Sequence, residues 1–389
     1  MSNMFSIDNH ELHRYISDLK KIREIVLTNA VMVGEIPAPT FGEKERIRFL
    51  QDRFIEDSLE SITIDEQGNG AAIIPGITGE KNILLMAHAD SVFDHKIDHA
   101  IAVDQKSLVG PGIADNSLGL AVIASTPIIL RSLKIKLDAN LILLGANCGL
   151  GRGNLKGLRF FLENTNTPID AGVCVAGTEL GRLSYNSVAL LRGEIKVSLP
   201  KGHDWERLET IGAIGHLNKV IQKIQNIRIP KDPQTSIILG AIRGGNAFNT
   251  VARKANLQFE VRSEESKIVE EIHTEINEII DEISALTETD ITLDVIGSRQ
   301  GGGLSYRHWM VKSVRKILEQ LSITPQIFPT VGSLGAFIDQ GIPGITIGIT
   351  KGNAIHEEEE SIEIEPIYCG LAQLVGTLKC IDEGLKNED

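Results

Sequence analysis

The sequence predicts an α/β protein in which helices sandwich a mostly parallel sheet and a smaller α+β domain interrupts the chain. Strand-like runs alternate with helical patterns in the first half of the 389 residues, which is typical of parallel sheets covered on both faces. Over residues 187–297 the order of strand-like and helical segments changes, and after residue 297 the alternation of the first half returns. We therefore expect a discontinuous domain formed by 1–186 and 298–389, with a second domain at 187–297.

The elements of the discontinuous domain follow from the spacing of its apolar residues. Apolar residues recur at helical spacing from residue 8 to 30, so we expect one helix there. Further helices are predicted at 42–54, after residue 115, and at 155–163, 309–321 and 366–385. Strands are predicted at 62–65, 71–74, 83–87, 140–145 and 344–349.

The inserted domain has the element order β-α-β-β-α-β. Its strands are predicted at 188–199, 236–242, 251–262 and 291–296, and its helices at 208–226 and 266–286. That order is the split βαβ arrangement of ferredoxin-like domains. We therefore expect a compact ferredoxin-like module.

Composition and charge exclude several classes of function. The net charge of -13, with no stripe of lysine and arginine, argues against a nucleic-acid partner. Charged or polar residues interrupt every apolar run, residues 1–10 lack the pattern of an export signal, and the four cysteines are scattered. We expect a cytoplasmic protein with free thiols and no membrane partner.

Three aspartate or histidine residues are the first candidates for a metal-binding or catalytic role. His88 and Asp90 directly follow the apolar run 83–87, at the edge of an α/β sheet where ligands gather. Asp90 could fix the tautomer of a metal-binding His88, although a solvent-facing pair is the plainer interpretation. Asp115, in the glycine-rich GPGIADNSLG of residues 110–119, suits either a metal carboxylate or a helix N-cap.

With a glycine-rich turn at 149–157 and with His356 before an acidic run, these positions resemble one family over nearly the whole chain. The family is that of the dinuclear-zinc metallopeptidases and amidohydrolases, which includes aminoacylase, peptidase T, carnosinase and succinyl-diaminopimelate desuccinylase. The resemblance implies a zinc-peptidase-like fold in which the inserted domain serves as lid and dimerisation domain. A homodimer through that domain is expected.

The resemblance also implies roles for particular residues. His88 and Asp90 match the H-x-D strand end, and Asp115, followed by Asn116, matches the aspartate that bridges two metals. His356, in HEEEESIEI at 356–364, matches the closing metal histidine, and Glu360 its usual acidic neighbour.

In the inserted domain, the stretch GGNAFNTVARKANLQFEVR at 244–262 resembles the lid signature. Asn249 and Arg262 thereby fall where relatives grip a substrate carboxylate. GHDWE at 202–206 places His203 where a histidine reaches across the dimer to the scissile carbonyl, with Asp204 in place of a serine.

The departures from the family pattern concern the acidic residues. Where relatives carry a general base and then a metal-binding glutamate, CGLGRGNLKG at 148–157 places Gly149 and Leu150. Ala176, in VAGTELG, stands at the next metal carboxylate, and Gly335 at a position often held by aspartate. His88, Asp115 and His356 then remain as a vestigial metal set.

These losses predict impaired catalysis. Catalytic zinc usually has three protein ligands, so each site is one ligand short. Loss of a general base removes a further ~10²–10⁴-fold in rate. We expect a protein that binds a small amino-acid-like or peptide ligand, and that has either zinc or another divalent metal as its cofactor or no cofactor.

The alternative is an active metal-dependent peptidase or amidohydrolase with a mononuclear or rearranged site. Cys148 could supply a shifted ligand, although a small buried residue at a strand end is the plainer interpretation. Glu179 could swing inward, or could face solvent.

Overall fold

The computed structural model describes residues 7–199, 211–287 and 289–387. The chain forms two compact units, one made of Met1–Asn186 and Gly303–Asp389 and the other of Ser187–Gly302. The predicted end of the inserted domain, residue 297, lies inside the strand Asp290–Arg299. The second unit extends a few residues further because that strand stays paired within its sheet to Arg299.

The strands and helices are numbered in chain order. The strands are β1 Glu60–Ile64, β2 Gly70–Ile74, β3 Asn82–His88, β4 Ala102–Val103, β5 Ser107–Val109, β6 Asn140–Ala146, β7 Ala171–Ala176, β8 Leu183–Ser184, β9 Asn186–Ser187, β10 Ala189–Ser198, β11 Thr235–Gly244, β12 Lys254–Ser263, β13 Asp290–Arg299, β14 Gly302–Gly303, β15 Gly344–Gly348, β16 Gly352–Asn353 and β17 Ser361–Glu363. The helices are α1 Asn9–Leu19, α2 Arg23–Gly34, α3 Lys44–Glu56, α4 Leu118–Leu133, α5 Lys156–Asn164, α6 Ala213–Gln225, α7 Ser266–Thr287, α8 Trp309–Gln320, α9 Leu334–Asp339 and α10 Ile367–Leu385.

The first unit is built on a sheet with the strand order β1-β2-β6-β3-β7-β15-β8. Its four central strands, β6, β3, β7 and β15, run parallel, whereas β1, β2 and β8 join antiparallel. The α/β fold class is confirmed, but the sheet is mixed rather than mostly parallel. The connection β1–β2 is too short for the crossover that parallel pairing needs, so β1 joins the sheet antiparallel to β2.

Both faces of this sheet are covered. Alternate residues of a strand point to opposite faces, and β3 shows this directly. Ile83 and Leu85 pack into a core with α1–α4, α8 and α10, while Leu84 and Met86 pack into a second core with α5 and α9. The uninterrupted apolar run of β3 is therefore that of a central strand buried on both sides.

Two helical segments of the first unit differ from what their sequence pattern suggests. The helix predicted over 8–30 is two helices, since the backbone at Ile22 leaves the helical region between α1 and α2. The segment Ile113–Leu133 is long and apolar enough to cross a membrane, but most of it is buried inside the protein. It therefore behaves as the core helix of a folded domain.

The second unit has the predicted β-α-β-β-α-β order in its described residues, with the antiparallel sheet β11-β12-β10-β13. Apolar residues of α6 and α7 pack on one face of this sheet. The ferredoxin-like prediction is confirmed. The predicted helix at 208–226 begins at Ala213 in the described chain, and residues 208–210 lie outside the described ranges.

A small antiparallel sheet in the first unit, β16-β17-β5-β4, joins distant parts of the sequence. β17 pairs with β5, and the Gly110 N–H donates to the Glu360 carbonyl at 2.8 Å. This pairing holds the segment that contains His356 beside the turn that contains Asp115.

Candidate functional site

His88 ends β3, at the carboxyl edge of the central parallel strands. Its Nε2 lies 3.1 Å from Asp115 Oδ1, and its Nδ1 lies 3.0 Å from the backbone carbonyl of Asp90. The Asp90 carboxylate is also near, with Oδ1 3.3 Å from Nδ1. Since both ring nitrogens face oxygen acceptors, both donate, and the geometry is that of an imidazolium.

Asp115 lies between two histidines. Its Oδ2 accepts from His356 Nε2 at 2.9 Å, while its Oδ1 faces His88. Asp115 is not a helix cap, because α4 begins only at Leu118 and both carboxylate oxygens are taken by the imidazoles. The structure thus brings together the three residues that the sequence singled out from positions 88, 115 and 356.

Neighbouring residues fix Asp115 and His356 in place. The Asn116 amide donates to the Val175 carbonyl at 2.9 Å and accepts from the Gly177 N–H at 2.8 Å, which ties the turn to the end of β7. The buried Glu360 carboxylate accepts from the backbone N–H groups of Ala114 at 3.0 Å and His356 at 2.6 Å. Glu360 therefore has a positioning role in the described structure.

Charge coupling dominates the protonation states of this cluster. Burial alone would lower the pKa of His88, but Asp115 and Asp90 outweigh it and raise that pKa to about 10. The hydrogen bond to Asp115 raises the pKa of His356. Burial opposes ionisation of Asp115, yet the two histidines hold its pKa well below the usual value. Asp115 is therefore ionised, and the protonated form of each flanking imidazole is favoured.

The turn after β6 carries no acidic side chain, and buried carboxylates hold its backbone. The Cys148 N–H donates to Glu43 Oε1 at 2.8 Å. The N–H groups of Gly149 and Leu150 donate to the two oxygens of Asp90 at 3.1 and 2.8 Å. A Cβ on Gly149 would stand 2.9 Å from Asp90 Oδ1 and 3.0 Å from the His88 Cβ. Any larger residue at 149 therefore has to displace one of them.

The residues present do not fit a pair of metal ions. Asp115 presents a different oxygen to each histidine, so each of two ions would meet one histidine and one carboxylate oxygen, fewer than the three protein ligands that catalytic zinc usually has. Within residues 7–199, 211–287 and 289–387, no group of three or more His, Cys, Asp or Glu is arranged to hold a metal ion. Ala176, at the end of β7, contributes no ligand atom.

The possible compensating residues are engaged or unreactive. Burial and the charges of Glu43 and Asp90 raise the pKa of the Cys148 thiol to about 11, so it is protonated and a poor metal ligand at neutral pH. Glu179 pairs with Arg182 at 2.6 Å and does not reach inward. Gly335 is buried in α9.

The residues that were predicted to bind substrate belong to the second unit. Arg262 Nε lies 2.5 Å from Glu260 Oε1, and the side chain is 40% exposed. Asn249 lies in the exposed loop between β11 and β12. His203 and Asp204 lie outside the described residues.

Sequence reasoning missed Glu43, Arg46 and Thr40. Thr40 donates its hydroxyl to Asp90 Oδ2 at 2.8 Å, and Glu43 holds the Cys148 N–H. The available signal was periodicity: position 46 shares the buried face of α3 with Ile47 and Leu50. A charged residue on an apolar stripe indicates a buried partner.

The comparisons with known proteins agree with this architecture. The peptidase dimerisation domain matches residues 189–288. The dipeptidase Dug1p of Saccharomyces cerevisiae is similar over 97% of this chain and 99% of its own, with a TM-score of 0.80 and 11% identity.

Two bacterial structures are similar as well. A Staphylococcus aureus tripeptidase covers 93% of this chain and 99% of its own, with a TM-score of 0.71 and 18% identity. The Bacillus subtilis protein YXEP, a dinuclear metal binding peptidase from the M20 family, is similar over 93% of this chain and 98% of its own, with a TM-score of 0.62 and 15% identity.

Sequence comparison with curated proteins gives no match. At the identities above, the structural likeness establishes the fold, and the matched domain establishes the character of the insertion. The chain thus has the M20 peptidase fold with an M20 dimerisation domain, and the resemblance to that metallopeptidase family is confirmed.

Proposed function

We propose that this chain is a catalytically impaired relative of the M20 peptidases that binds a small amino-acid-like or peptide ligand. The observation that carries the proposal is the turn of residues 148–150. It has no carboxylate to activate water or to bind a metal, and its N–H groups are committed to Glu43 and Asp90.

The histidines do not replace the missing base. A general base needs a free lone pair within reach of the attacking water. Both nitrogens of His88 donate to oxygen, and the Asp115 oxygens are each engaged by an imidazole. The cluster is therefore organised to hold protons rather than to accept one from water.

A small anionic ligand is the proposed occupant. His356 exposes 55% of its side chain, so its imidazole can meet a carboxylate from solution. The similar structures named above include a dipeptidase and a tripeptidase, which suggests peptide-like molecules. On the family resemblance, Asn249 and Arg262 remain candidates for binding the ligand carboxylate. Glu260 competes with such a ligand for the Arg262 guanidinium.

We further propose a cytoplasmic homodimer formed through the second unit, without nucleic-acid or membrane partners. The matched dimerisation domain supports the dimer. The net charge of -13 supports the exclusion of nucleic acid.

Calorimetric titration with dipeptides and N-acyl amino acids tests the ligand proposal. We expect saturable binding, with no hydrolysis of the same compounds by mass spectrometry. Arg262→Gln should weaken binding of carboxylates, whereas Arg243→Gln, an exposed arginine of β11, should not. Absence of heat with every anionic ligand would contradict the binding proposal, and rapid hydrolysis would contradict the catalytic one.

The contact of His88, Asp115 and His356 favours one competing function, a hydrolase with a single or rearranged metal site. That function predicts stoichiometric zinc, cobalt or manganese and activity that rises on metal addition. Protein that gains no activity with any of these ions would eliminate it.

A further inference from the structure

Phe41 lies in a turn beside the candidate site and has a backbone conformation that is rare for an aromatic residue. The Gly42 N–H donates to the Pro39 carbonyl at 2.7 Å, which closes the turn of residues 39–42. Phe41 is the third residue of this turn, and its φ is 75°. Turns with a positive φ at the third residue usually carry glycine or asparagine there. The turn therefore carries a ring at a position where the backbone favours glycine.

The exposure of Phe41 adds to this cost. The residue is 64% exposed, so its ring gains little from burial. Exposed apolar side chains are common on protein surfaces, and exposure alone would indicate nothing. Exposure together with backbone strain is different, because neither feature stabilises the folded chain. Residues strained in this way cluster at functional sites, where the surrounding structure holds them in place.

One end of this turn is bound to the buried carboxylate of the strand end. The Thr40 hydroxyl donates to Asp90 Oδ2 at 2.8 Å. The same oxygen accepts from the Leu150 N–H at 2.8 Å. The turn that contains Phe41 and the turn of residues 148–150 are therefore joined through one carboxylate oxygen.

A second carboxylate joins the two turns again. The Phe41 N–H donates to Glu43 Oε1 at 3.1 Å. The same oxygen accepts from the Cys148 N–H at 2.8 Å. Because Glu43 is buried, these bonds are shielded from water and fix the position of Phe41 relative to the candidate site.

Two further apolar residues adjoin this turn. The Ser91 N–H donates to the Ala38 carbonyl at 2.8 Å, which pairs the chain after Asp90 with the chain before the turn. Val92 follows directly and is exposed, and Leu150 is partly exposed. A ligand with an apolar side chain gains from burying such surface, whereas a fully polar ligand leaves it in water.

We propose that Phe41 is a specificity-determining residue of the candidate site, and that its ring packs against a large apolar side chain of the bound ligand. The inference rests on the proposed ligand binding and names the class of ligand, small peptides that carry an aromatic or large aliphatic residue. A ring held by hydrogen bonds on both sides loses little freedom on binding, so contact with a second ring is favourable.

Three substitutions separate the ring from the turn. Phe41→Gly removes the ring, keeps the N–H that donates to Glu43, and suits the positive φ. Phe41→Tyr keeps an aromatic ring. Ile55→Ala removes an apolar side chain of similar exposure, 62%, near the far end of α3 and serves as the matched control.

The experiment titrates three dipeptides into the full chain and each variant by calorimetry, and records thermal melting of each protein. The dipeptides are glycylphenylalanine, phenylalanylglycine and glycylglycine, which share the same charged termini. We expect at least one aromatic dipeptide to bind about tenfold or more tightly than glycylglycine. Phe41→Gly should lose this preference, bind glycylglycine unchanged and melt no lower than the unmodified chain. Phe41→Tyr and Ile55→Ala should keep the preference.

The outcomes distinguish this inference from the proposed function. Equal affinity for all three dipeptides, or a preference that Phe41→Gly retains, overturns the role of Phe41 and leaves ligand binding intact. Absence of binding by every dipeptide overturns the proposed function and the inference with it. A Phe41→Gly variant that melts at a lower temperature and loses all binding would show that Phe41 only supports the fold, which also overturns the inference.

Discussion

At the scale of single residues, the charge balance of the site depends on Asp115. One carboxylate separates two imidazole rings, and each oxygen accepts a hydrogen bond from one of them. Removing one partner of a partly buried charged pair is costly because the remaining charge loses its compensation.

Asp115→Asn should therefore destabilise the metal-free protein by about 2 kcal/mol at pH 6, because it loses charged hydrogen bonds that are only partly shielded from solvent. It should also lower the pKa values of His88 and His356, which NMR of the imidazole protons measures. Glu357→Gln, in the exposed acidic run, serves as a control and should change neither quantity. Unchanged histidine pKa values in the Asp115→Asn variant would show that the rings do not depend on Asp115.

Gly149 provides a second test at this scale. A Cβ there would contact Asp90 Oδ1 at 2.9 Å and the His88 Cβ at 3.0 Å. Gly149→Ala should cost about 2 kcal/mol, because overpacking forces neighbouring groups to move. Gly240→Ala, where the nearest atom would be 3.6 Å away, should be nearly neutral. Equal unfolding free energies for both variants in urea would mean that the turn adjusts freely.

The sequence allowed part of this site to be predicted. His88 and Asp90 could be placed because they end an apolar strand, and Asp115 and His356 because they lie in recognisable motifs. The periodicity of α3 could have marked Arg46 as buried, but the partners of Arg46 and Glu43 could not be predicted, since they include backbone atoms of segments distant in sequence. Backbone partners leave no residue-type signal.

At the scale of elements, the site joins the end of β3, the turn before α4 and the segment before β17. The hydrogen bonds of His88 and His356 to Asp115 connect these three segments. The folded state keeps a proton on His88 up to about pH 10, whereas an ordinary histidine releases it near 6.5. Above pH 6.5 the unfolded chain therefore binds fewer protons than the folded one.

The stability of the metal-free protein should consequently fall between about pH 6.5 and 10, by up to about 1.4 kcal/mol per pH unit for each retained proton. Asp115, whose pKa is lowered, adds the opposite trend below pH 3.8. Urea unfolding at pH 6 and pH 9 measures the slope, and His88→Gln should reduce it. If the dependence of unfolding free energy on pH is the same in His88→Gln, the group that retains the proton is not His88.

Element types were predictable where the apolar period was clear. The central strands β3, β6 and β15 and the β-α-β-β-α-β order follow from local pattern, and the structure confirms them, whereas the central strand β7 was not predicted. The antiparallel pairing of β1, β2 and β8 was not predicted, because pairing direction depends on connection length and on partners outside the local sequence. The break between α1 and α2 leaves no proline or glycine as a signal.

At the scale of the whole molecule, the second unit is the proposed dimer contact. β11 ends its sheet with one neighbour, β12, and exposes Ile238 and Ile242. An exposed apolar edge strand is prone to pair with another chain, and lysines on the edge oppose such pairing.

Light scattering after size-exclusion chromatography tests this contact. The unmodified chain should elute as a dimer, and Ile238→Lys combined with Ile242→Lys should yield monomers because like charges then meet across the edge. Val295→Lys, on the opposite edge strand β13, should remain dimeric. Monomers from the Val295→Lys variant and dimers from the double variant would assign the contact to β13.

We propose that the chain lacks the acidic side chains to hold two metal ions. Elemental analysis of the full-length protein, purified without chelator and dialysed against zinc-containing buffer, measures this. We predict zinc at no more than the buffer background. Two tightly bound ions per chain would contradict the claim.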